Sequence, residues 1–403
     1  GSEMCIRDSY THMKKFLKYY LLISAVCFWH IDSHAETKDL SPQQYYEQMQ
    51  RKLATGWNTW DTRSALTHVL LPYGAAIDLH VIDGKGIRKN SFTIGSGLLH
   101  AGPHTYDGKY TDISLRWNDQ KLRIESSADS LENIIRITPL EGNNPEGKII
   151  VVLKGVWQRD VKIQVNGQQF QFRPGNLKQE IKGQAYGKWI KSERNEITFS
   201  TQEPVTICCG SDIEPVKAQN KLRESANRFV NNNKKQYGDD YEVYNAMQNV
   251  LSWDNIYDPT IRKVITPVSR DWNINWSSNP NYGGFVLFCW DSYFAAMMFS
   301  AGNRELAYAN AVEITKSSTE SGFVPNFYSG NDYKSRDRSQ PPVGSLAVWS
   351  LYKKYGDKWL LELLYPDLIR WNRWWDKNRN IDGLLCWGSS PYPRVTYRNH
   401  EYG

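Results

Sequence analysis

The residues best suited to chemistry lie in three stretches of the C-terminal half: SRDWNINWSSNPNYGGFVLFCWDSYF (Ser269–Phe294), SGFVPNFYSG (Ser321–Gly330) and SRDRSQPPVGS (Ser335–Ser345). Each mixes aromatic rings with a few groups that hydrogen-bond in fixed directions. That combination suits a sugar, because carboxylates and guanidinium groups grip vicinal hydroxyls while a ring covers the C–H face. Asp291 is the focal residue, set between Trp290 and Ser292 just before the apolar run Tyr293–Phe299. Taken singly, each candidate has a plainer reading: Asp291 as the N-cap of a helix starting at Ser292, Asn326 as a turn residue, Arg338 as a solvated charge. A fourth stretch, DKNRNIDGLL (Asp376–Leu385), alternates oxygen-bearing side chains at Asp376, Asn378, Asn380 and Asp382, which suits a structural calcium loop. Gly383 comes later than the usual hand-loop glycine and Trp387 stands where a closing Glu is wanted, so an Asx-rich turn after a helix is an equal alternative.

The elements that must carry these loops change character once along the chain. From Ala65 to about Cys209 the sequence reads as strands, including Ala75–Asp83, Lys121–Ala128, Asn133–Leu140, Lys148–Trp157, Val161–Gly167 and Asn195–Thr201. They alternate or run apolar between Gly, Asn, Asp and Pro turns, and their spacing predicts a β-sandwich over 36–214. After Pro215 the period becomes helical, predicting a helical linker over 215–260 and an all-helical domain over 261–403. Helices are expected at Arg304–Ser318, Gly344–Gly356 and Asp357–Tyr365, and Pro366 then suits the first turn of a further helix. Leu368, Trp371, Trp374 and Trp375 repeat at three- and four-residue steps, which reads as a core face rather than a ligand surface.

Composition bounds the partners. The 403 residues allow two ordinary domains and a sizeable core, so folding need not lean on disulfides or metals. The 49 basic and 43 acidic residues are spread without blocks, so the net charge of +6 points to neither nucleic acid nor a membrane surface. Gly1–Ser9, GSEMCIRDS, resembles a translated sequencing adapter, and residues 1–12 are set aside from fold reasoning. Residues 13–35 follow the layout of a secretory signal, with Lys14, Lys15 and Lys18, an apolar stretch around Leu21–Trp29 and the ending Ser33-His34-Ala35. Cleavage after Ala35 and a periplasmic or secreted protein are expected, with no stable membrane span and a monomeric chain. Of the remaining cysteines, adjacent Cys208 and Cys209 are not a disulfide framework, and neither Cys289 nor Cys386 completes a zinc motif.

From GWNTWDTRSALTHVLLPYG (Gly56–Gly74) onward the sequence resembles glycoside hydrolase family 63, particularly its bacterial α-glucosidase-like members. The segments CWDSYF, VPNF and RSQPP are also similar to trehalase segments, in the same order. The resemblance implies an N-terminal β-sandwich followed by an (α/α)6 barrel with the active site at its mouth. Carried over, it implies that Trp290 and Asp291 line the glucosyl subsite, that Asn326, Arg338 and Gln340 add polar contacts, and that Phe285 and Trp276 form aromatic walls. Inverting hydrolysis needs an acid and an opposed base about 6.5–9.5 Å apart, and no redox cofactor. The family's acid segment, Glu-Ser-Gly-x-Asp, and its late Glu base are not found here. The catalytic Asp and Glu are therefore expected beyond Gly403, and the expectation is a truncated barrel and an inactive fragment of an exported exo-acting α-glucosidase. A non-catalytic carbohydrate-binding protein on the same scaffold and a trehalase are the alternatives. The strand domain ahead of the barrel and the GWNTWDTRS segment disfavour trehalase.

Overall fold

The computed structural model describes residues 40–95, 97–211, 213–270, 285–329, 334–335, 338–386 and 388. The adapter-like and signal-like segments therefore lie outside the described residues, as does Trp276. So does Gly403, the position beyond which the catalytic acid and base are expected. Helix α1, Pro42–Leu53, opens with a reciprocal capping box: Ser41 N donates to Gln44 Oε1 at 2.8 Å and Gln44 N to Ser41 Oγ at 3.3 Å.

Two antiparallel sheets follow. One orders its strands 56–58, 67–71, 75–82, 148–155, 196–200 and 189–193, with 88–89 added beside 75–82. The other runs 161–166, 169–174, 181–186, 205–209, 132–139, 120–129, 111–117 and 98–104. Between them lies an apolar core that includes Leu79, Val81, Ile113, Phe172, Ile197, Phe199 and Ile207. Residues 120–129 show why: burial alternates along the strand, sending Leu122 and Ile124 inward while Arg123 reaches out to Asp112 at 2.7 Å. The same period explains the Cys208–Cys209 pair. Cys209 joins the core between the sheets, and Cys208 faces the other way into a small cluster with Ala218 and Leu222.

Those two residues belong to α2, Pro215–Tyr237, which is followed by a 3-10 turn and by α3, Tyr241–Ser252. A short hairpin pairs 256–258 with 263–265. Four helices then pack on one another: α4 (Cys289–Phe299), α5 (Arg304–Lys316), α6 (Gly344–Tyr355) and α7 (Lys358–Arg379). Among the described residues these do not close a complete (α/α)6 barrel. Helix α1, although it lies within 36–214, packs with them: Tyr46 Oη donates to Glu313 Oε1 at 2.6 Å, and Gln50 exchanges two hydrogen bonds with the Val264 backbone. No helix among the described residues is long and apolar enough to cross a membrane.

Pro366 departs from expectation. It lies inside one continuous helix, α7, rather than opening a new one. Proline has no N–H to offer the carbonyl four residues earlier. The neighbouring Leu363 carbonyl is held by Lys316 Nζ at 2.9 Å, and the same ammonium reaches Asp367 at 2.6 Å. Leu368, Trp371, Trp374 and Trp375 are all buried, as the periodicity required of a core face.

Candidate functional site

Helix α4 begins at Cys289, three residues before the expected start, so Asp291 sits within the first turn instead of capping it. The reason lies in distant loops. The first N–H groups of a helix have no partner in their own helix, and here two of them find one in distant segments. Cys289 N donates to the Asn326 carbonyl at 2.9 Å, and Trp290 N donates to Gln340 Oε1 at 3.0 Å. Local sequence favours Asp as a cap, but an acceptor supplied from 50 residues away moves the boundary.

The same contacts gather the candidate residues. Strand 286–288, leading into α4, pairs with strand 327–329 in the register Phe288↔Phe327, which sets Asn326 beside Cys289 and tilts the two Phe rings together at 5.9 Å. Gln340 presents its oxygen to Trp290 N, so its amide N–H2 remains to donate outward. Trp290 and Phe294, at 39% and 41% exposure, are tilted at 6.1 Å and form an aromatic ledge beside Asp291. Burial raises the Asp291 carboxyl above its usual range, opposed by its own N–H and by a hydrogen bond from the Trp290 side chain. The result is a partly desolvated acceptor flanked by ring and amide.

Arg338, half-buried, holds a left-handed backbone at φ 56°, a conformation that strains a residue with a Cβ by about 1–2 kcal/mol. The next residue secures it: buried Ser339 donates from N and Oγ to the Gly388 carbonyl at 3.2 and 3.3 Å. Arg338 and Gln340 therefore flank a buried anchor at the start of the proline pair. Phe285 does not form a wall. It is 2% exposed and belongs to the hydrophobic core, because the strand it precedes runs inward.

The calcium reading does not fit the side chains. Residues 380–381 and 384–385 make a two-stranded hairpin turned by Asp382 at φ 53°. Asn380 uses both ends of its amide within it, accepting from Gly383 N at 2.8 Å and donating to Asp376 Oδ1 at 2.8 Å. Asn378 donates to the Trp374 carbonyl at 2.8 Å. An Asp376 carboxylate already receiving an amide N–H, beside an Asn whose oxygen is taken, is an Asx turn rather than a convergent set of oxygens. Among the described residues no group of three or more His, Cys, Asp or Glu could hold a metal ion.

Sequence reasoning missed the connector behind the site. Arg270, buried, donates to the Thr59 carbonyl at 2.6 Å and to the Asn255 carbonyl at 2.5 Å, tying the GWNTWDTRS segment to the residues after α3. His104 Nδ1 meets the Ser252 carbonyl at 2.7 Å, so it carries the proton and Nε2 accepts from the Thr59 hydroxyl at 2.8 Å. A lone Arg before an aromatic loop gives no sequence signal for such a role.

Residues 285–390 match the model of the mannosylglycerate hydrolase MGH1-like glycoside hydrolase domain. That span contains Asp291, Asn326, Arg338 and Gln340. This chain carries a glycoside hydrolase-type domain. Comparison with curated proteins gave no match. Among solved structures, the chain overlaps a bacterial glucoamylase complexed with acarbose at 13% identity and TM-score 0.37, covering 78% of this chain and 57% of that one. It overlaps a kojibiose phosphorylase from the human microbiome, so described provisionally, at 12% identity and TM-score 0.34, covering 78% and 51%. A glycosyl hydrolase of family GH92 overlaps at 9% identity and TM-score 0.26, covering 86% and 66%. The hydrolase-type domain thus rests on the family match over 285–390.

Proposed function

We propose that the hydrolase-type domain is the sugar-holding part of an exported, inverting, exo-acting α-glucosidase of the family 63 kind, built on an (α/α)6 barrel and acting on short α-linked oligosaccharides or glucosides. The observation that supports it most is the head of α4, where an acceptor carboxylate, an outward amide donor on Gln340 and the Trp290–Phe294 ledge meet inside the matched span. Asp291 accepts from glucosyl hydroxyls, Gln340 donates to one, and Trp290 covers the ring face.

Asp291 is not the acid. The nearest approach to the family's acid segment is Glu320-Ser321-Gly322-Phe323-Val324, where buried Val324 stands in place of the Asp. With no acid–base pair assigned among the described residues, sugar binding without turnover is the behaviour proposed for this chain. That behaviour also favours the second reading, a carbohydrate-binding protein on the same scaffold.

Calorimetric titration of glucose and mannose, beside hydrolysis assays on trehalose, kojibiose, nigerose and glucosyl- or mannosyl-glycerate, tests both parts. Asp291→Asn should weaken sugar binding roughly 10- to 100-fold, since a hydrogen bond to a charged group is worth about 1.5–3 kcal/mol, while the thermal midpoint stays in place. Unchanged affinity in that variant would remove Asp291 from the sugar site. Measurable turnover of any of these glycosides by this chain would overturn the claim that it lacks a catalytic pair.

A further inference from the structure

A groove of about 960 Å³ lies on the outer face of the eight-stranded sheet, over strands 161–166, 169–174 and 181–186. Strand alternation decides what it presents. Phe170, Phe172, Ile181 and Ala185 point into the core between the sheets, so the residues that alternate with them point out. In register, Asn166 stands opposite Gln169, and Gln169 opposite Gln184. Two residues along, Gln164 stands opposite Gln171, and Gln171 opposite Lys182. All six side chains are exposed or half-buried and line the groove.

Five of the six are neutral amides. Strand 161–166 is the edge of its sheet, where a lysine or another charge is the usual guard against pairing with a second chain. Lys162 fits that pattern, but Gln164 and Asn166 do not, and Asn is also a poor strand residue. Edge protection and propensity therefore leave these amides unexplained, whereas their hydrogen-bonding chemistry accounts for them. Each offers donors and an acceptor without net charge. Gln171 Nε2 donates to Gln164 Oε1, which leaves Gln171 Oε1 to accept and a Gln164 N–H to donate into the groove. Charge collects towards one end, where Arg173 pairs with Glu180 at 2.9 Å and Lys182 joins the Gln164–Gln171 row. At the opposite end Tyr186, half-buried and two residues on from Gln184, adds ring surface.

We propose that this groove is a second carbohydrate site, for an extended neutral glycan lying across the strands, whose hydroxyls exchange hydrogen bonds with Asn166, Gln169 and Gln184. Neighbouring strands lie about 4.8 Å apart, close to the advance of one sugar unit in an extended chain. Each unit along the row therefore meets one amide. The volume is near the upper bound of ligand pockets, about 1,000 Å³, which accommodates several units rather than one. Hydroxyls and amides are both uncharged, so the contact forms without the cost of desolvating an ion. The groove shares no residue with the head of α4, so it holds a chain independently of the proposed glucosyl subsite.

The test is calorimetric titration of the full chain with cellohexaose, mannohexaose and maltohexaose and with the matching disaccharides. The proteins are the wild type, Asp291→Asn, Gln169→Ala, and Gln169→Ala combined with Gln184→Ala. The expected result is binding of at least one hexaose that survives Asp291→Asn and weakens on shortening to the disaccharide. It should fall roughly 10-fold, about 1.4 kcal/mol, in the double variant, with the unfolding midpoint unchanged. Gln169→Ala alone, at an exposed position, should weaken it roughly 3-fold and decides the matter if the double variant is destabilised. Affinity should stay level between about 0.01 and 1 M salt, over which the Debye length falls from about 30 to 3 Å. If no hexaose binds the wild type, the proposal fails. Binding untouched by the amide variants, or lost in Asp291→Asn, places the chain elsewhere and also overturns it. An affinity that falls with salt assigns the groove to an anionic ligand at Lys182 instead. Glucose binding lost in Asp291→Asn with hexaose binding retained shows two separate sites.

Discussion

The chain uses the pair Trp-Asp twice in its motif segments, and the two copies have opposite fates. Trp60 and Asp61 are 0% and 1% exposed, whereas Trp290 is 39% exposed and Asp291 lies at the surface. The first pair is enclosed by backbone bonds: Tyr257 N donates to the Trp60 carbonyl at 3.0 Å, Arg270 reaches the carbonyls on either side, and Asp61 Oδ1 accepts from Arg63 N at 2.9 Å. The second pair is held at the Trp290 N–H by Gln340, one residue after Cys289 is held by the Asn326 carbonyl, and its side chains stay exposed. Identical residues are thus buried packing in one place and exposed surface in the other. Both pairs are bonded through their backbones, and what differs is whether the surrounding segments close over the side chains.

Truncating the two tryptophans should separate these roles most sharply. Trp60→Ala removes a fully buried ring shared with the helical core and should cost about 3–5 kcal/mol. Trp290→Ala should cost under about 1 kcal/mol, in keeping with an exposed position, while weakening sugar binding. Urea unfolding at constant m-value measures both. Equal losses would mean that the exposed pair is structural after all.

Acid should act on the buried histidines before it acts on the exposed pair. Burial lowers His104 to about 3, with the charge of Arg270 adding to the effect, and burial lowers His68 to about 4. Both rings are neutral when folded, so the unfolded chain binds more protons once the pH drops below the ordinary histidine value of 6.5. Their stabilisation is complete above pH 6.5 and is lost as pH falls towards 4, by about 3 kcal/mol for His68 at 1.36 kcal/mol per unit. Asp258 has the opposite sign. Burial raises it to about 6, so the folded state gains a proton between pH 6 and 4 and is stabilised there. The urea midpoint should fall between pH 7 and 5, and fall more steeply in Asp258→Asn, which lacks that compensation. A flat or rising midpoint would show that the two histidines are protonated in the fold.

Much of the fold could be read from period and punctuation, because strands such as 75–82, 120–129 and 148–155 carry their burial pattern in adjacent residues. Errors arose wherever a distant partner overrode a local preference. Asp291 is a good cap by type, yet Gln340 from another loop starts the helix earlier. Pro366 favours a helix start, yet α7 runs through it. Phe285 resembled a wall residue, but strand pairing at 286–288 turns the segment inward. Asn326 and Gln340, which the resemblance implies as sugar contacts, both help cap α4, Asn326 through its carbonyl and Gln340 through its side chain.

The smallest effect probes that dual task. Gln340→Ala deletes the acceptor for Trp290 N, a capping interaction worth about 1 kcal/mol, and should weaken sugar binding as well, because both the outward donor and the support beneath Trp290 are lost. Stability and affinity would then fall together and could not be told apart. Gln340→Glu separates them. A carboxylate oxygen still accepts from Trp290 N and its charge is favourable at a helix N-terminus, so stability should return to that of the parent. The same substitution removes the N–H2 donor that the proposed sugar contact needs, so affinity for sugar should stay low. Recovery of both properties in Gln340→Glu would show that Gln340 only caps the helix and that Asp291 meets the sugar without it.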